Sequence, residues 1–350
     1  MIIVIISTQK RGIFIMHIMY TVNKKYTDIM LASMYSLIDN GKLDQIHFHI
    51  VTADFDEEAK TRVGEVLSTF PNVTFTFYRL EDYPIDDYGI PSWRGTQIAN
   101  ARLFFPKIIK EKYPNIQNIL YIDSDTLVKG NLNSLNAYNN NAVCASREGG
   151  AKKTDYIDRL GLDRYFNTGV IYLNLDKWQS LDLEHEIRLF KNKTRYRIIY
   201  PDQDLFNIIL KDEIQAIPSR YNLSPYPLIM NPLEMQIFYR NRQLTAEEVL
   251  EEKKNAIILH SIGLFNVKPW YRNNINPLTD DFESYMKRIN PEYQLEELSR
   301  LKKVLTFSPA LFKAIILAKA NLPKGLNDIS RELSLKLQNA IEPETTKKTK

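Results

Sequence analysis

The chain has one cysteine among its 350 residues, so it can form no internal disulfide, and a reducing compartment suits it. Cys144 sits in the apolar run Ala142-Val143-Cys144-Ala145 and reads as a buried strand residue. No apolar stretch reaches the roughly 20 residues that a bilayer-spanning helix needs. The apolar start, Met1 to Ile6, precedes Lys10 and Arg11, the reverse of a secretory signal. Glycine is scarce, 12 residues in all. Neither Gly-x-Gly-x-x-Gly nor Gly-x-x-x-x-Gly-Lys-Ser/Thr occurs, which removes the dinucleotide fingerprint and the P-loop. The body of the chain also lacks a basic excess. Net charge is +4, but eleven Lys/Arg against four Asp/Glu lie from Arg300 onward, leaving the first 299 residues net acidic. A nucleic-acid-binding core needs its basic patch on the folded domain, so no nucleic-acid partner is expected.

Hydrophobic residues make up 44% and charged residues 25%, as in an ordinary soluble globular protein. The length allows one large domain or two modest ones. Residues 1–16 read as an extension, with Met16 just ahead of the first convincing strand. Residues 17–275 read as the main domain, and 276–350 as a helical, basic C-terminal region.

Along the main domain, strand and helix patterns alternate. His17 to Val22 predicts a strand, Asn23 to Tyr26 a polar turn, and Thr27 to Asn40 a helix closed by Gly41. Gln45 to Thr52 alternates Ile46, Phe48 and Ile50 with His47 and His49, a half-buried strand with both histidines on its outer face. A helix over Asp56 to Phe70, a strand through Val73, Phe75 and Phe77, and a helix over Gln97 to Lys112 follow. Short joins between such elements imply an α/β fold with a mostly parallel sheet and helices on both faces. Ligands of such sheets sit beyond the carboxyl ends of strands.

The segment Asn118-Ile-Leu-Tyr-Ile-Asp-Ser-Asp-Thr-Leu-Val128 carries most information. An apolar strand delivers two carboxylates, Asp123 and Asp125, to a strand end. They suit Mg²⁺ or Mn²⁺ bound to a diphosphate compound, although the same pattern also fits a capped turn. Asp-x-Asp recurs at Asp54/Asp56, in an acidic stretch that reads as a solvated helix entry, and at Asp202/Asp204. Three further clusters follow: Phe166-Asn-Thr-Gly169 before the strand Val170 to Leu175; Tyr200-Pro-Asp-Gln-Asp204 opening a helix; and His260-Ser-Ile-Gly263 ahead of Lys268-Pro-Trp270. Each alone has a structural explanation: Asp202 as a helix cap, His260 as a satisfied strand-end histidine, Trp270 as packing.

Taken in order, these motifs resemble glycosyltransferase family 8, retaining enzymes that include glycogenin and bacterial lipopolysaccharide galactosyl- and glucosyltransferases. The resemblance covers roughly residues 17–272 and implies a GT-A type fold. It implies that Asp123, Asp125 and His260 bind Mn²⁺, which a nitrogen ligand beside two carboxylates favours over Mg²⁺. It places Lys268 on the diphosphate of a UDP-sugar donor, with Arg102, Ser124 and Gly263 against the donor. Tyr26 takes the uracil-stacking position, and Thr21 the position of backbone contacts to the base. Asn167, Asp202 and Gln203 fall near the donor sugar and its anomeric carbon. Two departures stand out. Asn23 replaces the usual base-reading Asp, and the spacing from His260 to Lys268 is two residues longer than the commonest form. Gln203 is a poor nucleophile, so the expected route is front-side attack with retention. The implied reaction moves galactose or glucose to a glycan or glycolipid acceptor. The rivals are a sugar nucleotidyltransferase, for which Lys24 and Lys25 offer a thin triphosphate grip, and a non-catalytic sugar- or partner-binding relative.

Leu298 to Leu322 mixes Leu, Ile and Phe with Lys302, Lys303, Lys313 and Lys319. It predicts either a helical pair packed on the domain or a helix drawn to anionic lipid on the cytoplasmic face of the plasma membrane.

Overall fold

The computed structural model describes residues 14–92, 95–150, 152–191, 198–262, 268–298, 303 and 308–321. Its centre is a seven-stranded sheet in the order β3-β2-β1-β4-β7-β6-β8. The strands are β1 Ile15–Val22, β2 Gln45–Thr52, β3 Val73–Arg79, β4 Asn118–Ile122, β6 Val143–Arg147, β7 Phe166–Asn174 and β8 Ile214–Ile217. Strands β1 to β4 run parallel. β7 alone runs against its neighbours β4 and β6, while β6 and β8 are parallel. Separately, β5 Thr126–Val128 and β9 Ile258–His260 form a two-stranded antiparallel ribbon.

The apolar runs explain the layers. One core cluster packs Phe104, Phe105 and Ile109 of the Ala101–Lys112 helix under one sheet face. The Thr27–Asn40 helix contributes Met30, Leu31, Met34 and Leu37 to a second cluster on the other face. That helix ends at Gly41 as its pattern predicts, but the glycine is not left-handed. Its φ is −67°, and a Cβ there would lie 2.6 Å from the Leu37 carbonyl oxygen.

Several details differ from the sequence reading. β1 begins two residues earlier, with Met16 buried opposite Ile46. The Phe-Asn-Thr-Gly segment is the buried first part of β7 and not a turn before it. His49 does not face outward: helices cover both sheet faces, and the residue is fully buried. Its Nε2 lies 3.0 Å from His17 Nδ1, and its Nδ1 lies 2.9 Å from the Tyr78 hydroxyl. Burial, with neighbouring His47, His17 and Lys112, pushes the His49 pKa down to about 2. Burial and His47 lower His17 to about 4.

The C-terminal helices share a third cluster with the main domain. Phe282 and Met286 of the Thr279–Ile289 helix pack with Trp270, Phe238 and Met235. Phe312, Ile316 and Ala320 make an i, i+4, i+8 stripe on the Pro309–Ala320 helix and are buried in the same cluster. Ser308 caps that helix by accepting from Leu311 N–H, and Lys313 pairs with Glu234 at 2.8 Å. The main apolar stripe of this helix is therefore turned into protein and not toward lipid; Leu311 is its exposed large hydrophobic residue. Among the described residues no helix is long and apolar enough to cross a membrane.

Candidate active site and metal centre

The strand pairings bring the distant motifs together. At the end of β4, Asp123 N–H donates to the Gly169 carbonyl of β7 at 2.7 Å. Three residues on, β5 pairs with β9 so that Thr126 stands opposite His260, and Ser261 N–H donates to the Asp125 carbonyl at 2.9 Å. His260 Nε2 consequently lies 3.2 Å from Asp125 Oδ1 and 3.6 Å from Asp123 Oδ2. The three ligand atoms all fall within 4.8 Å of one another. Bonds of about 2.1 Å to an octahedral ion set adjacent ligand atoms about 3 Å apart, so the donor set fits a divalent cation with little adjustment.

Gly169 makes this approach possible. A Cβ at this position would lie 2.1 Å from His260 Cε1 and 2.8 Å from Asp123 Oδ2. The imidazole occupies the space that any side chain at 169 would fill. Behind the ring, His260 Nδ1 is 2.9 Å from Asn222 Oδ1.

A cleft of about 560 Å³ opens over these ligands, within the range of small-molecule sites. Thr21, Asn23, Tyr26, Arg102, Asp123, Ser124, Asp125, Asn167, Asp202, Gln203, His260 and Lys268 all line it. Gly263 lies outside the described residues. The Asn23 Oδ1 atom is buried and has no hydrogen-bond partner, an acceptor at the cleft wall. Tyr26 meets Trp270 edge-on at 6.1 Å. Thr21 uses its hydroxyl on Tyr121, whose own hydroxyl donates to Asp123 Oδ1 at 2.5 Å.

Charge at the cleft floor is balanced pairwise. Arg102 is buried, with Nη2 3.1 Å from Asp123 Oδ1 and Nε 3.3 Å from Asp202 Oδ2. It also donates to the Thr168 carbonyl at 2.7 Å and lies over the Tyr121 ring. Lys268 Nζ lies 2.5 Å from both Asp125 Oδ2 and the Ser261 carbonyl. Burial would raise the Asp125 pKa; Lys268 and then His260 overcome it and hold the carboxyl far below the usual range. Asp202 goes the other way. Burial lifts its pKa, only partly opposed by Arg102. Lys24, the start of the thin basic loop, is paired with Asp56 at 2.5 Å on the exposed rim.

Two side chains are more constrained than their motifs suggest. The Gln203 carbonyl accepts from Thr168 N–H at 3.1 Å and its amide donates to the Tyr165 hydroxyl at 3.2 Å. Asn167 accepts on Oδ1 from Gly169 N–H at 2.8 Å and from Asn222 Nδ2 at 2.7 Å, and donates from Nδ2 to Glu148. Asp204 is fully buried, bound by Arg159, the Tyr165 hydroxyl and the N–H groups of Ile199 and Tyr200. It anchors the start of the Pro201–Ile209 helix, while Asp202 faces the cleft and accepts from Thr168 Oγ1 at 3.2 Å. Glu148, Asn222 and Tyr121 were not singled out in the sequence. No local pattern marks the contacts that join them to the other motifs, because Glu148–Asn167, Asn222–His260 and Tyr121–Thr21 are 19, 38 and 100 residues apart.

The sequence matches the profile of Glycosyl transferase family 8 over residues 17–274. The chain belongs to that family. A putative glycosyltransferase of Haemophilus influenzae is 29% identical over 224 residues, 60% of this chain and 64% of its own length. The matched stretch thus spans just under two thirds of that relative. The lipopolysaccharide 1,2-glucosyltransferase of Escherichia coli K12 is 24% identical over 271 residues, 75% of each chain. The galactosyltransferase LgtC, solved with donor and acceptor sugar analogues, shares the fold. Its TM-score is 0.59 at 23% identity, with 79% of this chain and 96% of that chain covered. The seven-stranded sheet of this family member is accordingly of the GT-A type.

Proposed function

We propose that this glycosyltransferase is a metal-dependent retaining hexosyltransferase. It would move galactose or glucose from a UDP-sugar to a glycan acceptor of the lipopolysaccharide type or another cell-surface glycan. The observation that carries the reading is the convergence of Asp123, Asp125 and His260 at the floor of one cleft, with Gly169 clearing the room for the ring. The likeness to lipopolysaccharide glucosyltransferases supports the acceptor class, and a UDP-sugar donor supports a cytoplasmic site of action.

A divalent cation held by these three residues would neutralise charge on the departing diphosphate. The chain's own groups do the rest. Lys268, already beside Asp125, supplies a second positive charge to the leaving group. Asn23 lines the cleft and offers its amide to the base edge once the shielded, unpartnered Oδ1 turns outward, and Tyr26 offers an aromatic face to the base. Arg102 fixes Asp123 and Asp202 relative to each other, and Asp202 orients sugar hydroxyls. The C1–O bond to the diphosphate breaks as the acceptor oxygen bonds to C1 from the same side. The acceptor's proton passes to the departing phosphate oxygen. Gln203, with its amide held by Thr168 and Tyr165, orients the sugar and forms no bond to it.

The test is Mn²⁺-dependent release of UDP across a panel of sugar nucleotides. Release from UDP-galactose or UDP-glucose that stops on chelation is expected. Pyrophosphate turnover with a sugar 1-phosphate and UTP would point to nucleotidyl transfer instead, and absence of any turnover to a non-catalytic relative.

A further inference from the structure

The cleft floor contains a buried polar chain that ends on the metal-facing imidazole. Glu148, Asn167, Asn222 and His260 are each at most 8% exposed. Glu148 Oε2 accepts from Asn167 Nδ2 at 2.5 Å, Asn167 Oδ1 accepts from Asn222 Nδ2 at 2.7 Å, and Asn222 Oδ1 faces His260 Nδ1 at 2.9 Å. A second contact holds each of the first two links. Gly150 N–H donates to Glu148 Oε1 and Gly169 N–H to Asn167 Oδ1.

The direction of this chain is set at two points, the Glu148 carboxylate and the Gly169 N–H, which can only donate. An ionised carboxylate can only accept, so the Asn167 amide must turn its NH₂ toward Glu148. Its carbonyl then faces Gly169 N–H and Asn222, which must also present NH₂. That leaves only the Asn222 carbonyl for His260, so Nδ1 must carry the hydrogen. Nε2, the nitrogen facing Asp123 and Asp125, is then the one that offers a lone pair to a cation. Partners of this kind, one step behind a ligating histidine, set its tautomer and ring angle.

We infer that Glu148 is a positioning residue for the metal centre. Together with Gly169 N–H, and through Asn167 and Asn222, it fixes the direction in which His260 is hydrogen-bonded, and hence which ring nitrogen is presented to the cation. The inference rests on the three-ligand metal site proposed above. It adds an acidic residue, distant in sequence from all three ligands, that never touches the ion. A glutamine at 148 whose carbonyl meets Gly150 N–H turns its NH₂ toward the Asn167 NH₂; relieving that clash requires both asparagines to turn over, at the cost of the Gly169 N–H bond, and leaves His260 Nδ1 facing an NH₂ group.

The experiment measures the Mn²⁺ dissociation constant of the free protein, without donor, by paramagnetic resonance of unbound Mn²⁺. Glu148→Gln should weaken binding by about tenfold or more, the usual size for loss of such a partner. Adding Asn222→Asp to Glu148→Gln should restore affinity to within about threefold of the parent. A carboxylate beside the ring accepts on either oxygen and needs no directional lock. Asn222→Asp alone, with Glu148 intact, separates this from simple charge addition: a through-space charge effect would tighten Mn²⁺ binding there as well, whereas relief of a directional lock that is already satisfied leaves affinity within about threefold of the parent. A Glu148→Gln protein that binds Mn²⁺ like the parent would overturn the inference. So would a double variant no better than the single one, or an Asn222→Asp single variant that gains as much affinity over the parent as the double variant recovers. If the unmodified protein binds no Mn²⁺, the metal-site reading fails first and this inference with it.

Discussion

Replacing Gly169 by alanine is the sharpest test of the metal centre. The new Cβ would stand 2.1 Å from His260 Cε1 and 2.7 Å from Nδ1. Non-bonded carbons rest at about 3.5–4.0 Å, so the ring must retreat by roughly 1.5 Å or swing aside. Metal sites tolerate errors of only about 0.2 Å in ligand position. His260 would leave coordination range of Asp123 and Asp125, and its 2.9 Å contact with Asn222 would break as well. The backbone at 169 is not left-handed, so alanine adds no conformational strain and the fold should survive, at a cost of about 1–3 kcal/mol for local overpacking. We expect Gly169→Ala to remain folded by circular dichroism, to bind Mn²⁺ at least 100-fold more weakly by calorimetry, and to lose transfer activity. A folded variant with Mn²⁺ affinity within threefold of the parent would refute the argument, since His260 could not then be a ligand from its present position.

Other perturbations probe separate parts of the structure. Gln203→Ala should keep substantial activity while Asp125→Asn loses nearly all; equal loss, with a sugar adduct trapped on the protein, would rule out front-side attack. The buried histidines predict acid sensitivity. His49 and His17 have folded-state pKa values near 2 and 4, below the unfolded value near 6.5. The unfolded chain therefore takes up protons first, and stability, complete above about pH 6.5, falls as pH drops below it. The slope is about 1.4 kcal/mol per pH unit for each fully shifted histidine, so urea unfolding should show a loss of about 2 kcal/mol from His49 alone between pH 6.5 and 5. A flat profile that is the same in His49→Phe would refute this. Phe312→Ala should destabilise the fold by about 3–5 kcal/mol, because the ring is fully buried in the third cluster; a loss under about 1 kcal/mol by chemical denaturation would mean that the C-terminal helix docks only loosely.

Much of the architecture was legible because it is local. The apolar run before Asp123 marks a strand end, and the Thr27–Asn40 helix carries its own pattern and terminator. The metal triad was legible only in part. The Asp-x-Asp declares itself, but His260 joins it through the pairing of β5 with β9, which no short-range periodicity encodes. His49 was misplaced because alternation distinguishes two faces without saying that both are covered. Asn167 was assigned to the donor sugar by its motif, yet its polar atoms are engaged by Glu148, Gly169 and Asn222. The C-terminal segment fitted either a helical pair packed on the domain or a lipid-drawn helix; residues 299–302, 304–307 and 322 lie outside the described residues, and the i, i+4, i+8 stripe of Phe312, Ile316 and Ala320 meets protein, as the packed reading has it.

The short β5–β9 ribbon has a bearing on how this molecule comes into being. One strand leaves the ribosome early and its mate well over a hundred residues later. A nascent or clipped polypeptide lacking the second strand could still close β1 to β8 of its central sheet, yet would have no imidazole to complete the ion's cage. A centre of the kind proposed would act as a late clasp: coordination would become available only after most of the scaffold exists, and a bound ion would then tie those two distant stretches together.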